Sequence, residues 1–184
     1  VEFEIGGKTC KLGGIAKGSG MIHPNMATML VFLTSDVAIT PALLQKAVSF
    51  DVKESFNMLS IDGDTSTNDM LTVMANGLAD NELIEETGAA YNTFCSALSK
   101  VTQYLCRLIA KDGEGATKLI ECKVLHAVNN GEAKRIAKSI ITSSLLKAAM
   151  FGADANWGRV LCAIGYSGAK VDVNKIDVSF VSKS

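Results

Sequence analysis

Apolar and polar residues alternate through VEFEI, pause at Gly6-Gly7 and resume through KTCKL, which predicts a β-hairpin over residues 1–12. Residues 13–27, GGIAKGSGMIHPNMA, contain four of the sixteen glycines and one of the two prolines, and read as loop. The loop gives way abruptly to TMLVFLTSD, a continuous apolar run closed by Asp36 that predicts a buried strand with Thr28 as its first residue. Thr40-Pro41 supplies a cap and a first-turn proline for a helix through ALLQKAVSF. SIDGDTSTND is turn-rich and leads into a strand over MLTVMA. Tyr91, Phe94, Leu98, Val101, Leu105 and Leu108 recur at steps of three and four, marking one face of a long helix that Gly113 and Gly115 break. ATKLIECKVLHAV then reads as a strand, and GEAKRIAKSIITSSLLKAAM as a helix with Ile136, Ile140 and Leu145 near one face. RVLCAIGY and IDVSFV read as two further strands. Paired strands and helices without an internal repeat predict a layered α+β architecture.

The alternation is already under way at Val1, and Ser184 follows directly on a strand-like stretch, so both ends are expected to be cuts through a larger fold. The length suits one domain and at most two. With 18 basic and 19 acidic residues, the chain lacks the charge footprint of a nucleic-acid or anionic-membrane binder. It has no apolar run of membrane-spanning length and no signal peptide, so a soluble protein is expected. Five scattered cysteines, none in a C-x-x-C pair, read as free thiols in a reducing compartment. The two histidines, His23 and His126, lie too far apart to suggest a zinc site, and no metal is expected.

The junction between loop and strand is the position with distinctive chemistry. A glycine-rich segment delivers Ala27 onto Thr28, a hydroxyl residue opening a rigid strand. Attack of Thr28 Oγ on the Ala27 carbonyl would convert the amide to an ester that water can hydrolyse, leaving Thr28 as a new N-terminus. A threonine hydroxyl needs a base beside it to act as a nucleophile. The freed α-amine, with an ordinary pKa of about 7.7–8.0, would supply that base.

Other motifs are weaker. Asp62, Asp64 and Asp69 resemble a calcium loop superficially but lack its closing glutamate and spacing, and read as turn residues. KGSG does not meet the phosphate-loop spacing. ADANWGR, with Asp154, Asn156, Trp157 and Arg159, has no role assigned to it beyond shaping a site, and Trp157 reads as packing.

The stretches KGSGMIHPNMATMLVFLTSD, SFNMLSIDGDTSTNDM, DGEGATKLIECKV and KAAMFGADANWGRVLCAIGYSG resemble, in order, the bifunctional ornithine acetyltransferases, also called glutamate N-acetyltransferases. They run from Lys17 to Gly168, most of the chain. The resemblance implies a layered αββα sandwich like that of N-terminal-nucleophile hydrolases. It implies that residues 1–184 are the central part of one acyltransferase domain, with 1–27 ending an upstream chain and 28–184 starting the downstream chain after cleavage at Ala27-Thr28.

Thr28 would then be the catalytic and substrate-contacting threonine, with Lys17 and Glu114 as further substrate-binding residues. Lys17, in the glycine loop, would meet a substrate carboxylate as a mobile point charge, and Glu114, between glycines at a helix end, an ammonium group. The implied reaction is ping-pong acetyl transfer from N-acetylornithine to glutamate in arginine biosynthesis, in the cytoplasm or, in a eukaryote, an organelle matrix. No cofactor is implied, though acetyl-CoA is an alternative donor within the family. The implied partners are the two amino-acid substrates, the protein's own upstream and downstream segments and an oligomer of cleaved chains. The family's oxyanion-hole threonine and glycine, another substrate-binding threonine, and its C-terminal asparagine and threonine contacts match nothing within this chain. Two alternatives stay open: an N-terminal-threonine amidase or aminopeptidase, and a non-catalytic fragment that needs other segments.

Overall fold

The computed structural model describes residues 1–18, 20–23, 29–65 and 67–182. Ala27 and Thr28, the two residues of the expected cleavage bond, lie outside the described residues. The chain forms two compact units, Val1–Glu114 and Gly115–Ser184.

The first unit is built on a four-stranded sheet in the order β1 (Glu2–Ile5), β2 (Lys8–Lys17), β3 (Leu30–Ser35) and β4 (Met70–Ala75). The predicted hairpin is present, its turn made by Gly6 and Gly7, both with positive φ. β2 pairs antiparallel with β3, from Leu12 opposite Ser35 to Lys17 opposite Leu30, and β3 pairs parallel with β4. Residues 13–17 are therefore strand, where glycine content predicted loop. The glycine at 14 answers to packing. A Cβ there would lie 2.1 Å from Leu33 Cδ2 and 2.9 Å from the Phe32 carbonyl oxygen, so only a bare backbone fits against β3.

Helix α1 (Pro41–Glu54) and the long helix α2 (Ala89–Lys111) cover one face of the sheet. Cys10, Leu12, Val31 and Leu33 point inward from the strands and meet Phe94, Leu98, Val101 and Leu105 of α2 in one core. The buried stripe of α2 ends at Ile109, with Leu108 exposed, one position away from the predicted face. The opposite face of the sheet carries Ile15, Leu30, Met70 and Met74, all exposed. This unit supplies one helical layer and one sheet layer of the α+β architecture.

The second unit contains α3 (Asn130–Thr142), α4 (Ser144–Phe151) and α5 (Trp157–Gly165). The RVLCAIGY segment, predicted as a strand, lies mostly in α5. Asn156 accepts a cap hydrogen bond from the Arg159 N–H, and Val160, Ala163 and Ile164 bury one face at helical spacing. Trp157, expected to pack, is 64% exposed at the first position of this helix.

ATKLIECKVLHAV and IDVSFV, also predicted as strands, are not assigned to strands. Their alternation survives as packing, with Cys122 and Val124, and Ile176 and Val178, turned onto Ile136, Ile140, Leu146 and Val160. Period-two burial needs only one covered face, whereas a strand assignment needs a hydrogen-bonded neighbour. Among the described residues, no helix is long and apolar enough to cross a membrane.

Candidate active site

The chain on the downstream side of the expected cleavage bond is firmly held. Met29, covalently joined to Thr28, is fully buried, as are Val31 and Leu33 on the same face. The Met29 N–H donates to Asp69 Oδ1, and the Met29 carbonyl accepts from the Met70 N–H at 2.9 Å. Both faces of that peptide residue are thus tied to adjacent residues, Asp69 and Met70, at the entrance to β4.

The upstream side is held differently. Asp62 accepts from the Met21 N–H at 2.6 Å through Oδ2, and from the Ile22 N–H at 3.0 Å through Oδ1. The same Oδ1 accepts from the Asp64 N–H at 3.0 Å, which fixes the turn that presents it. The Ile61 N–H donates to the Ile22 carbonyl, Thr65 Oγ1 donates to the His23 carbonyl at 3.2 Å, and His23 Nδ1 lies 3.0 Å from Ser60 Oγ. Met21 takes a left-handed backbone, φ 58°, which a side chain larger than glycine adopts at a cost. Residues 60–69 therefore hold the chain on both sides of residues 24–28, through Asp62 upstream and Asp69 downstream.

Lys17 ends β2 opposite Leu30, two residues along the chain from Thr28. This placement corrects the expectation of a mobile loop lysine: its backbone is fixed by the ladder, and only its exposed side chain is free to move. Lys17 also borders an open groove of about 1000 Å³ between β2 and the C-terminal half of α2, with Ile15, Tyr104 and Leu108 among its walls. Glu114 follows α2 after its cap at Asp112. A Cβ built on Gly20 would lie 3.5 Å from Glu114 Oε1, so this carboxylate lies next to Gly20, three residues after Lys17. Helix α2 thus carries an acidic group to the glycine-rich stretch that carries the basic one.

The profile of the ArgJ family matches residues 1–183. The chain belongs to the ArgJ family. It is 56% identical over 180 residues to the arginine biosynthesis bifunctional protein ArgJ 1 of Clostridium acetobutylicum, covering 98% of this chain and 44% of that protein. The ArgJ protein of Listeria monocytogenes is 53% identical over 177 residues, 96% of this chain and 44% of that one. The crystal structure of the ArgJ protein from Bacillus halodurans superposes with a TM-score of 0.73 at 50% identity, covering 78% of this chain and 66% of that chain. The chain spans about 44% of the length of these curated relatives.

Within this ArgJ-family chain, Asp62 and Asp69 are the residues that sequence reasoning passed over. Both stand in a polar turn, and their partners lie about forty positions earlier in the sequence. No local spacing announces such contacts. Burial pushes the Asp69 carboxyl above its ordinary pKa, and the Met29 N–H draws it back down. The described residues contain no cluster of three metal-ligating side chains.

Proposed function

We propose that this chain carries the nucleophile of an acetyltransferase that makes its own N-terminal threonine. Thr28 Oγ attacks the Ala27 carbonyl and the acyl group moves from nitrogen to oxygen. Water then hydrolyses the ester, giving an Ala27 carboxylate and a free Thr28 α-amine. In turnover the α-amine takes the Thr28 hydroxyl proton as Oγ attacks the acetyl carbonyl of N-acetylornithine. The tetrahedral intermediate expels the ornithine nitrogen, which takes that proton, and the acetyl group remains on Oγ as an ester. Glutamate's amine then attacks the ester carbonyl and loses its proton, while Oγ leaves and is reprotonated. The products are ornithine and N-acetylglutamate, a step of arginine biosynthesis. Acetyl-CoA would serve as a second donor to the same hydroxyl.

The observation that carries this reading is the family match across residues 1–183, which includes Ala27-Thr28 together with Lys17 and Glu114. The approach of Glu114 to Gly20 supports it, since an acidic side chain lies next to the short segment that begins with the basic Lys17. Lys17 would bind a substrate carboxylate and Glu114 an ammonium group, matching the opposite charges of an amino acid. The upstream and downstream segments of the full-length protein would supply the oxyanion donors and remaining contacts, in an oligomer of cleaved chains. An oxyanion donor is typically worth about 10²–10³ in rate, so this chain alone is expected to turn over little.

The test is product analysis of the full-length protein and its Thr28→Ala variant with N-acetylornithine, with and without glutamate. The wild type should release acetylglutamate only when glutamate is present, and the variant should remain one uncut polypeptide without transfer. Acetate release independent of glutamate would make the protein an amidase, and cutting by the variant would remove Thr28 as nucleophile.

A further inference from the structure

Residues 13–17 of β2 have a partner on one side only. β3 runs along one edge, from Leu12 opposite Ser35 to Lys17 opposite Leu30. On the other edge β1 pairs with residues 8–11, and its line ends where Val1 and Leu12 exchange two backbone bonds, of 2.7 and 3.0 Å. Among the described residues, no strand lies beyond that pair on this edge.

In an antiparallel ladder the peptide groups of successive residues point to alternate edges. Lys11 points toward β3, where its carbonyl accepts from the Asp36 N–H at 3.3 Å and from Ser35 Oγ at 2.7 Å. Leu12 points toward β1. Gly14 and Ala16 therefore turn both their N–H and C=O groups to the uncovered edge. Unpaired backbone groups in line with an existing ladder are a template for one more stretch of strand. The same edge borders the groove of about 1000 Å³, whose lining includes Val1, Gly14 and Lys17 on one side and Tyr104 and Leu108 on the other.

Continuity of the ladder names the occupant. The chain spans about 44% of the length of its curated relatives, and the full-length protein proposed above brings an upstream segment. Lengthening a ladder already begun closes no new loop and so costs little entropy. We infer that, in the full-length protein, the five residues preceding Val1 continue β1 along β2, in the register that Val1 and Leu12 set. The residues two and four positions before Val1 exchange backbone bonds with Gly14 and Ala16. Their side chains share the face of Val1, Phe3 and Ile5, and enter the groove against α2. Phe3 already packs on that face, its ring 6.3 Å from that of Phe94. The residue five positions before Val1 stands opposite Lys17, so the added strand forms a wall beside the candidate site. None of this depends on the chemistry at Thr28.

The first experiment is amide exchange in the wild-type full-length protein at single-residue resolution. Gly14 and Ala16 should exchange as slowly as Gly13 and Ile15, whose N–H groups face β3. A free edge would leave Gly14 and Ala16 faster by roughly a hundredfold or more, and would overturn the inference. The second experiment tests occupant and register. Ile15 and the residue three positions before Val1 would form a non-hydrogen-bonded pair, with Cα atoms about 4.5 Å apart, inside the disulfide range. Full-length protein carrying Ile15→Cys and a cysteine three positions before Val1 should form that disulfide on mild oxidation, located by peptide mapping. A cysteine two positions before Val1 lies on the other face and should not pair with it. Protected amides without the disulfide would give the edge to another segment or a second copy, and overturn the occupant. If the double variant does not fold, exchange is read on a variant with proline two positions before Val1, which removes one donor from the added strand. Gly14 and Ala16 should then speed up while Gly13 and Ile15 stay slow, and unchanged protection would overturn the inference. Protected amides and the disulfide in a protein that transfers no acetyl group would sink the function reading alone.

Discussion

The segments on the two sides of residues 24–28 are held to the fold to different degrees. Downstream, Met29, Val31 and Leu33 are all fully buried, and β3 has a strand on each side. Upstream, residues 20–23 bury a single side chain, Ile22, and otherwise reach the fold through the Asp62 carboxylate, the Ile61 N–H and one isolated bridge between Ile22 and Thr65, with Met21 left-handed. The downstream strand is held by a run of buried apolar side chains and a continuous ladder, and the upstream segment by one buried side chain, Ile22, and a few polar contacts. A nucleophile that must be aimed belongs on the first kind of support. An acyl segment that must be presented once and then released belongs on the second. The contrast gives each side its own vulnerability: changes downstream should damage stability, and changes upstream should damage cleavage.

The largest effect is expected from the sheet. Gly14→Ala would drive a methyl group into Leu33 and the Phe32 carbonyl oxygen. Overpacking of this kind costs about 1–3 kcal/mol, a fall of roughly 2–12 °C in melting temperature. Gly13→Ala is the control, because nothing lies within 4 Å of a Cβ at that position. Thermal unfolding of the two variants should separate them clearly, and equal loss would mean that glycine content rather than close packing matters in β2.

Next come the substrate charges. Lys17→Ala and Glu114→Ala should each lower kcat/KM about tenfold to a hundredfold, the worth of a charged hydrogen bond, with melting temperatures within a few degrees of wild type. Steady-state kinetics beside thermal unfolding checks this. Lost stability with unchanged kinetics would return both residues to structural roles. A smaller effect is expected at Asp62→Ala, which removes acceptors from the Met21 and Ile22 N–H groups. Self-cleavage, followed on a denaturing gel over time, should slow by roughly tenfold, while protein already cleaved turns over almost normally. Equal slowing of cleavage and turnover would erase the distinction between the two sides.

How far the sequence reveals this arrangement depends on how local each cause is. The hairpin, β3, α1, β4 and α2 were legible because each has its own signal: glycine in a turn, an apolar run, Thr40-Pro41, or a stripe at helical spacing. Beyond Leu12, β2 reads as loop because glycine usually marks one, whereas the reason for Gly14 is Leu33 on the neighbouring strand. VLCAI suits a buried strand as well as a helix, and the Asn156 cap is what decides for α5. Thr28 stood out by its position between loop and strand. Asp62 and Asp69 did not, since their importance lies in backbone groups some forty residues away. The resemblance supplied Lys17 and Glu114, which composition alone would have left as solvated charges.

The smallest effect is expected away from the site, in the helical layer that backs the sheet. Asp51 is buried on α1 and accepts from Ser55 Oγ at 3.1 Å. Burial raises its carboxyl above the ordinary value, while Thr102, Ser55 and Ser99 hydroxyls pull it back. Its folded pKa exceeds its unfolded one, so its contribution is most favourable below about pH 3.9 and is lost as pH rises through the folded value. Asp51→Asn should therefore leave the melting temperature at pH 7.5 unchanged or raised by up to about 3 °C, and the gap should close toward pH 4. Cleavage and transfer should not change.

The central claim is that Thr28 becomes both an N-terminus and the carrier of the acetyl group. Its most direct test is intact-mass and peptide mapping of the full-length protein before and after a brief exposure to N-acetylornithine without glutamate. The account predicts two chains cut between Ala27 and Thr28, with one acetyl group on the downstream chain as an ester at Thr28 that disappears when glutamate is added. An uncut chain, or an acetyl group that maps elsewhere or survives glutamate, would contradict it.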